Sequence, residues 1–349
     1  MKVRLIATIA ALAGLTALAP VKAQDQGSVV MTTYGGGTGQ TWRNVFAKSF
    51  SDTVGIPATV TDTLSPEGQI RAQGSNQQYN TAVMLIADAI NLHKDGLLET
   101  FDPAELPNVK DSTTQKLLQT DDGKYFGAAI YFTYYGIVVN TDYAESADFE
   151  SWHALADSKW KGQLAVTRPA IAAGYDITAF SYAAGGNESD IDGGVKLFTD
   201  FVNNTALTYT SPAHLNQLVS RGEVTAAPFY HSGVWRLLES GADNLELVLP
   251  KEGALMLPYV AVVPKDVKNR DTLVKWLNHI ALPEVQLKSV DVSGYLPLSP
   301  DATLSADQEA KFGMSLSKML DRLFVPDWAV IAQNRDERVN MVEKILAGQ

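Results

Sequence analysis

Short apolar segments alternate with segments of helical periodicity along the first hundred residues. The strand-like runs are 28–33, 56–62 and 82–87, and the helical segments are 41–54, 66–73 and 90–95. In the first helical segment, Trp42, Phe46 and Phe50 recur four residues apart, and Gly55 supplies the expected stop. Such an alternation of strands and helices predicts a parallel sheet with helices on both faces.

Two long apolar segments interrupt the alternation. Residues 128–140 (AAIYFTYYGIVVN) are too many for one ordinary strand of a small sheet, and residues 256–263 form a second such candidate. The remaining strand-like runs are 162–166, 207–210, 226–230 and 245–250, and the remaining helical segments are 177–184, 193–203, 214–221, 233–240, 271–282, 284–290, 306–323 and 328–346. The sequence therefore predicts two α/β halves that are joined by two crossing strands.

The N-terminus has the organisation of a secretory leader. Lys2 and Arg4 precede a charge-free apolar run over residues 6–18, and Val21-Lys22-Ala23 then presents small residues at the positions that a signal peptidase reads. The run is too short for a comfortable transmembrane span. We predict a signal peptide of residues 1–23 that is cleaved after Ala23; a retained anchor or a buried first helix is the alternative.

The composition limits the cellular location of the protein and the classes of molecule that it can bind. The 349 residues include no cysteine, which excludes a lipid-modified cysteine and a disulfide framework, and the formal charge is −11. Cleavage would remove three cations and no anion, giving −14 for residues 24–349. This acidity argues against a partner that is a nucleic acid or an anionic membrane. We expect a soluble, monomeric, two-domain protein of a bacterial periplasm.

Signatures of catalysis and of cofactor binding are missing from the sequence. The five histidines are scattered, with no pair at metal-ligand spacing, and no HExxH, GxSxG or GxxxxGK[ST] motif occurs. We therefore expect no enzymatic activity, no cofactor and no metal centre. A secreted hydrolase on the same scaffold is the alternative from a different functional class.

A glycine-rich segment, Tyr34 to Gly39 (YGGGTG), connects the first predicted strand to the first helix. Backbone N–H groups at such a position can hold a carboxylate, phosphate or hydroxyl oxygen. The segment lacks the GxGxxG spacing of a dinucleotide site, because the third glycine of that motif would fall on Gln40. A flexible strand-to-helix turn without a ligand is an equally good interpretation.

Tyrosines recur at predicted strand ends and crossings, where an α/β sheet presents its ligand crevice. They are Tyr34, Tyr131, Tyr134, Tyr135, Tyr175, Tyr230, Tyr259 and Tyr295. Each offers an apolar ring and one hydroxyl, which suits a small polar solute, although half or more could instead belong to the core. Adjacent Tyr134 and Tyr135 should point to opposite faces of one strand, which disfavours paired ligation of Fe³⁺. Arg168 is a candidate partner for a carboxylate or phosphate, or alternatively a surface ion-pair residue.

Several motifs in order resemble those of the type II periplasmic solute-binding proteins of ABC importers, in particular the spermidine/putrescine-binding branch. They are VGIPATV, HKDGLLETFDP, YFTYYGIVVNTDY, SWHALADSKWKGQLAVTRP, VLPKEGALMLPYVAVVPKDVKN, SGYLPLSPDA and WAVIAQNRDERVNMVEKIL. The resemblance implies a two-lobed fold, each lobe a mixed sheet flanked by helices, with two crossing strands as the hinge. It assigns residues 24–133 plus 262–300 to one lobe and 134–261 plus 301–349 to the other. It also implies delivery of the solute to an inner-membrane ABC permease.

The resemblance further implies a binding site in the cleft between the lobes. The expected ligand-binding residues are Thr33, Tyr34, Gly35, Asp88, Tyr131, Arg168, Tyr175, Asp176, Tyr230, Ser232, Tyr259 and Tyr295. Polyamine-binding members carry acidic residues where this chain has the stretch Arg168 to Ala172 and the pair Pro258-Tyr259. Burying an ammonium group without a carboxylate is costly, so the exchange of acid for Arg168 favours a solute with an anionic end. We expect an amino-acid-like or organic-anion solute, with a polyamine as the alternative and ferric ion as a second alternative.

Overall fold

The computed structural model describes residues 27–348. The predicted signal peptide, residues 1–23, lies outside this range. Among the helices of residues 27–348, none combines the length and the apolar composition that a bilayer crossing requires.

Eleven strands within the described residues form one sheet. They are β1 Val29–Tyr34, β2 Ala58–Thr63, β3 Thr81–Leu85, β4 Ala128–Asn140, β5 Leu164–Thr167, β6 Thr205–Tyr209, β7 Ala226–Tyr230, β8 Leu245–Val248, β9 Ala254–Val262, β10 Leu296–Pro297 and β11 Leu323–Phe324. The strand order is β2-β1-β3-β9-β4-β7-β5-β6, while β8 and β10 pair with β4 and β11 pairs with β9.

Two parallel groups of strands lie on either side of an antiparallel centre. On one side β1 pairs in parallel with β2 and β3, and on the other β5 pairs in parallel with β6 and β7. We call the structure built on β1–β3 the first lobe and that built on β5–β7 the second lobe. The central strands β4 and β9 run antiparallel to each other and link the groups, and all 13 residues of β4 are buried. The predicted two-lobed α/β fold with two crossing strands is confirmed.

Helices cover both faces of the sheet. They are α1 Gly37–Thr41, α2 Lys48–Val54, α3 Pro66–Gln73, α4 Ile86–Lys94, α5 Thr113–Lys116, α6 Pro169–Ala172, α7 Asp176–Ala183, α8 Asp192–Val202, α9 Pro212–Ser220, α10 His231–Glu239, α11 Arg270–Ile280, α12 Pro283–Ser293, α13 Ala306–Phe312, α14 Leu316–Leu320, α15 Trp328–Gln333 and α16 Arg335–Ala347. A π-helical segment, Trp42–Ala47, joins α1 to α2, and 3₁₀ turns occur at Pro103–Glu105, Ser146–Phe149, Trp152–Ala156 and Ser158–Trp160.

An aromatic cluster forms the core of the first lobe. Trp42 stacks on Phe46 at 4.2 Å between ring centroids, and its Nε1 donates a hydrogen bond of 2.7 Å to the Tyr131 hydroxyl. Trp276 of α11 completes the cluster, 6.0 Å from Trp42. Burial of each large ring stabilises the fold by about 1.5–3 kcal/mol. The core thereby fixes the helix that follows β1 against the sheet.

Several predicted boundaries are wrong. The glycine-rich segment is a turn only at Gly35 and Gly36, because the helix begins at Gly37 and not at Thr41. Helix α4 begins at Ile86, immediately after β3, so the predicted strand 82–87 is too long at its C-terminal end. The predicted helix 306–323 is broken, since Gly313 adopts a left-handed φ of 70° that ends α13.

Candidate functional site

A cavity of about 220 Å³ lies where the two lobes and the C-terminal helices meet. The first lobe contributes Tyr34, Ser65, Glu67 and Asp88, the second contributes Arg168 and Tyr175, and α15 with α16 contributes Trp328, Ile331 and Arg335. The volume is below the roughly 300–1,000 Å³ of pockets for drug-sized molecules, so it suits a small solute. A larger groove of about 730 Å³ lies beside β10 and α14 and contains none of the predicted site residues.

Two parallel strands of the first lobe bring Tyr34 and Asp88 together. Tyr34 is the last residue of β1, and Asp88 lies in the first turn of α4, directly after β3. The Tyr34 hydroxyl donates a hydrogen bond of 2.7 Å to Asp88 Oδ2. Burial raises the pKa of Tyr34 well above its usual value, and the negative charge of Asp88 adds to this. Tyr34 therefore remains a hydrogen-bond donor at physiological pH.

A second carboxylate, Glu67 of α3, lies beside Asp88. Burial, followed by repulsion from Glu67, raises the pKa of Asp88 from 3.8 to about 6, while the Tyr34 hydrogen bond and Arg335 act in the opposite direction. Glu67 itself pairs with Arg71 Nη2 at 2.9 Å, one turn along the same helix. Arg335 Nη1 is 3.9 Å from the other Glu67 oxygen, which is too far for a hydrogen bond. Asp88 is thus the acidic group of the cavity that no nearby cation neutralises closely.

On the opposite wall, Arg168 follows the end of β5 and is exposed. Its guanidinium has no hydrogen-bond or ion-pair partner among residues 27–348. Arg168 and Arg335 both act on the hydroxyl of Tyr175: burial raises the pKa of Tyr175 well above its usual value, Tyr230 and Asp88 add to this, and the two arginines oppose it. Arg168, Arg335 and Tyr175 all line the cavity.

Two further predicted site tyrosines, Tyr230 and Tyr259, do not line the cavity but lie beside tyrosines that do. Tyr175 and Tyr230 are nearly perpendicular, with ring centroids 6.2 Å apart, and Tyr34 and Tyr259 have the same arrangement on the first-lobe side. Among the described residues, the hydroxyls of Tyr175, Tyr230 and Tyr259 have no hydrogen-bond partner. Burial raises the pKa of Tyr259 well above its usual value, and the neighbouring Tyr295, Tyr131, Tyr34 and Tyr175 add to this. Such hydroxyls can donate to or accept from a polar solute.

Five other predicted site residues are buried and do not line this cavity. Tyr131 belongs to the aromatic core, and Tyr295 shares a hydrogen bond of 2.8 Å with Thr38. Ser232 is buried, and its backbone N–H donates to Thr133 Oγ1 at 3.1 Å. Thr33 and Asp176 are each 0 % exposed. Gly35 is exposed in the turn after β1, where its backbone passes beside Asp62.

Glu67, Ser65, Trp328, Ile331 and Arg335 line the cavity but were absent from the predicted site. In the sequence, Glu67 and Arg71 have the spacing of an ordinary i,i+4 surface ion pair, which their 2.9 Å contact also forms. Trp328 and Arg335 belong to the C-terminal helices, and no local pattern indicates that these helices return to the cleft. Only the long-range packing of α15 against α4 brings them there.

The arrangement of Tyr134 and Tyr135 agrees with the expectation for adjacent strand residues. Tyr134 stacks on His231 on one face of β4, whereas Tyr135 contacts Tyr175 and Tyr230 on the other. Among residues 27–348, no group of three or more His, Asp or Glu side chains is arranged to hold a metal ion.

Comparison with known proteins gives one family match. Residues 45–314 match the model of the family described as bacterial extracellular solute-binding protein. The chain is 22 % identical over 208 residues to the spermidine/putrescine-binding periplasmic protein of Salmonella typhimurium, a match that covers 58 % of this chain and 59 % of the relative. It is 26 % identical over 236 residues to iron uptake protein A1 of Synechocystis, covering 62 % and 61 %. The match thus spans about three fifths of each relative.

Solved structures show the same fold over nearly the whole chain. An ABC transporter substrate-binding protein from Bradyrhizobium japonicum superposes with a TM-score of 0.77 at 16 % identity, covering 92 % of this chain and 99 % of that protein. At this level of identity the likeness concerns the fold and not the ligand.

Proposed function

Because the chain belongs to the family of bacterial extracellular solute-binding proteins, we propose that it is the periplasmic, non-enzymatic substrate-binding component of an ABC importer. In this proposal the cavity between the lobes captures a small polar solute of the amino-acid or organic-anion class. The lobes close about β4 and β9, and the closed protein delivers the solute to an inner-membrane permease.

The charges around the cavity support an anionic or zwitterionic solute. Arg168 lies on the second-lobe wall of the cavity, opposite Asp88, whereas Arg335 lies beside Glu67, which also pairs with Arg71. The free guanidinium of Arg168 is the single observation on which the proposal depends, since it offers a planar fork to a carboxylate or phosphonate. Asp88 with the Tyr34 hydroxyl would receive an amino group if the solute carries one.

A polyamine is the second candidate, and two observations favour it. The Salmonella relative is named as a spermidine/putrescine-binding protein, and Asp88 and Glu67 place two carboxylates at one end of the cavity. Arg168 and Arg335 oppose it, because a di- or triamine in the same cavity would experience their repulsion. The iron uptake relative also makes ferric ion a ligand to test, although Tyr134 and Tyr135 lie on opposite faces of β4.

Thermal-shift screening followed by calorimetry tests the proposal. We expect amino acids or organic anions to raise Tm, whereas putrescine and spermidine have little effect and Fe³⁺ produces no visible absorption band. A ligand at 100 times its Kd should stabilise the protein by about 2.7 kcal/mol. A strong shift with putrescine or spermidine and none with anions would reject the anionic class.

The variant Arg168→Ala tests the anchoring residue. It should weaken binding at least about tenfold, because a charge-assisted hydrogen bond contributes roughly 1.5–3 kcal/mol. The matched control is Arg221→Ala, since Arg221 is exposed in the loop between α9 and β7 and, among the described residues, its side chain forms an ion pair with Glu223 alone, at 3.7 Å. Equal affinities for the two variants would show that Arg168 does not hold the solute.

A further inference from the structure

Arg335 enters the cavity from a part of the chain far from the predicted site. It is the first residue of α16, and its side chain is half exposed at the cavity mouth. Its contact with Glu67, at 3.9 Å, makes no hydrogen bond, so the guanidinium is free to turn toward a bound solute. Arg168 and Arg335 are the two basic residues of the cavity lining.

Glu67 is already committed to another arginine. Arg71 donates to Glu67 Oε1 from Nε at 3.0 Å and approaches the same oxygen with Nη2 at 2.9 Å. A carboxylate held in this way compensates Arg335 only weakly, because the separation is larger and water can enter between the groups. Arg335 is therefore only loosely paired with Glu67, and Arg168 has no ion-pair partner among the described residues.

Both arginines line the same small cavity as Tyr175. The hydroxyl of Tyr175 has no hydrogen-bond partner among the described residues. Two guanidinium forks and one phenol then provide several donors around one small volume. A single carboxylate could accept hydrogen bonds from both forks, but it carries one negative charge against two guanidinium charges.

We propose that the anionic end of the solute carries two negative charges, with Arg168 and Arg335 each binding one anionic oxygen or group. This inference rests on the proposed function and narrows the solute class to compact dianions. A phosphonate, a phosphate monoester or a pair of carboxylates would each supply the two negative charges. The C-terminal helices thereby form a third wall of the site and select the charge of the solute.

Matched pairs of solutes that differ by one negative charge test how many anionic charges the site binds. Ligand-free protein is titrated with glutamate and glutamine, with succinate and succinamate, and with an aminoalkylphosphonate and the aminoalkylcarboxylate of equal chain length. In at least one pair, we expect the compound with the additional negative charge to bind about tenfold or more tightly than its partner. The third pair distinguishes a phosphonate head from the dicarboxylates of the first two.

Two variants with opposite expectations exclude a purely structural role of Arg335. Arg335→Gln should reduce the preference for the dianion to about twofold or less while leaving the affinity for the singly charged partner nearly unchanged. Glu67→Gln removes the carboxylate that competes weakly with the solute for Arg335, so it should strengthen dianion binding. If Arg335 acted only as a clasp to Glu67, the two substitutions would have the same effect. Arg221→Ala again serves as the surface control.

Three results would overturn the inference. These are a dianion preference that survives in Arg335→Gln, a wild-type preference for the singly charged partners, and parallel effects of Arg335→Gln and Glu67→Gln. In each of these cases some solute still binds, so the proposed function stands. Failure of every solute class, polyamines included, would instead reject the proposed function itself.

Discussion

Asp176 is a carboxyl group that the fold buries without a partner. It is the first residue of α7, it is 0 % exposed, and neither of its oxygens accepts a hydrogen bond among the described residues. Burial raises the pKa of Asp176 to about 7, and the adjacent Tyr135 hydroxyl opposes this only partly. Because Asp176 does not line the cavity, we assign contact with an amino group to Asp88 and an effect on stability to Asp176.

Stability should depend on the ionisation of Asp176. A carboxyl whose pKa rises from 3.8 unfolded to about 7 folded stabilises the native state fully below pH 4, and this contribution is lost as pH rises through 7. Asp176→Asn stays neutral, so its free energy of unfolding relative to the wild type should rise by roughly 2–3 kcal/mol between pH 5 and pH 8. Denaturant unfolding at the two pH values measures this difference.

The matched control is Asp243→Asn, because Asp243 is exposed in a loop. Its difference from the wild type should stay constant between the two pH values. If the Asp176→Asn difference is equally constant, Asp176 titrates with an ordinary pKa and its burial has been relieved in solution.

The residues that the sequence identified lie at ends of parallel strands. Tyr34 ends β1 and Arg168 directly follows β5, and this position alone places them at the cleft. Glu67 and Arg335 could not be identified in this way, since each lies within or at the start of a helix and meets the other only through tertiary packing. The sequence also did not predict which of these carboxyl groups is buried. Asp88 and Asp176 each lie in the first turn of a helix, yet Asp88 lines the cavity whereas Asp176 is 0 % exposed.

At the level of elements, α10 connects the lobes through two glycine contacts. It begins directly after β7 in the second lobe, yet Trp235 packs on Gly294 and Arg236 packs on Gly37 of the first-lobe side. Arg236 Nη1 is buried there without a hydrogen bond among the described residues. Both glycines adjoin predicted site segments, so the contacts form where α10 approaches the first-lobe side.

Gly37→Ala should impair closure of the lobes. The φ of Gly37 lies outside the left-handed region, so alanine is compatible with the backbone, but its Cβ would collide with the Arg236 guanidinium. We expect weaker solute binding in Gly37→Ala and recovery in the double variant Gly37→Ala/Arg236→Ala. A coupling free energy of about 0.5–3 kcal/mol, measured by a double-mutant cycle on Kd, would support the contact. Additive effects of the two substitutions would contradict it.

Strands were more predictable than helix starts. Continuous β-branched and apolar runs marked β1, β4 and β7 because both faces of these strands are buried. Helices α4, α7 and α10 start without a side-chain cap hydrogen bond, since Leu85, Tyr175 and Tyr230 precede them. The start signal of a Ser, Thr, Asp or Asn cap is therefore absent, and the predicted starts of these three helices were one to four residues late.

At the scale of the whole molecule, the cavity is shared by three parts of the chain. The first lobe, the second lobe and the C-terminal helices each supply wall residues, and α15 packs on α4 while α16 packs on α6. Trp328 is almost fully buried and lies 6.3 Å from Tyr175 at 89°. A solute that contacts all three parts should therefore stabilise them together and favour the closed arrangement.

Hydrogen exchange measures this coupling directly. With the solute identified by the screening above, protection should increase together in α4, in the segment from Arg168 through α7, and in α15, although these lie far apart in the sequence. Helix α13 does not contribute to the cavity and should exchange at an unchanged rate. In Arg335→Gln, protection of α15 and α16 should increase less than in the wild type, while α4 still responds. Protection confined to one lobe would contradict closure about β4 and β9, because hinge bending requires that both lobes hold the same solute.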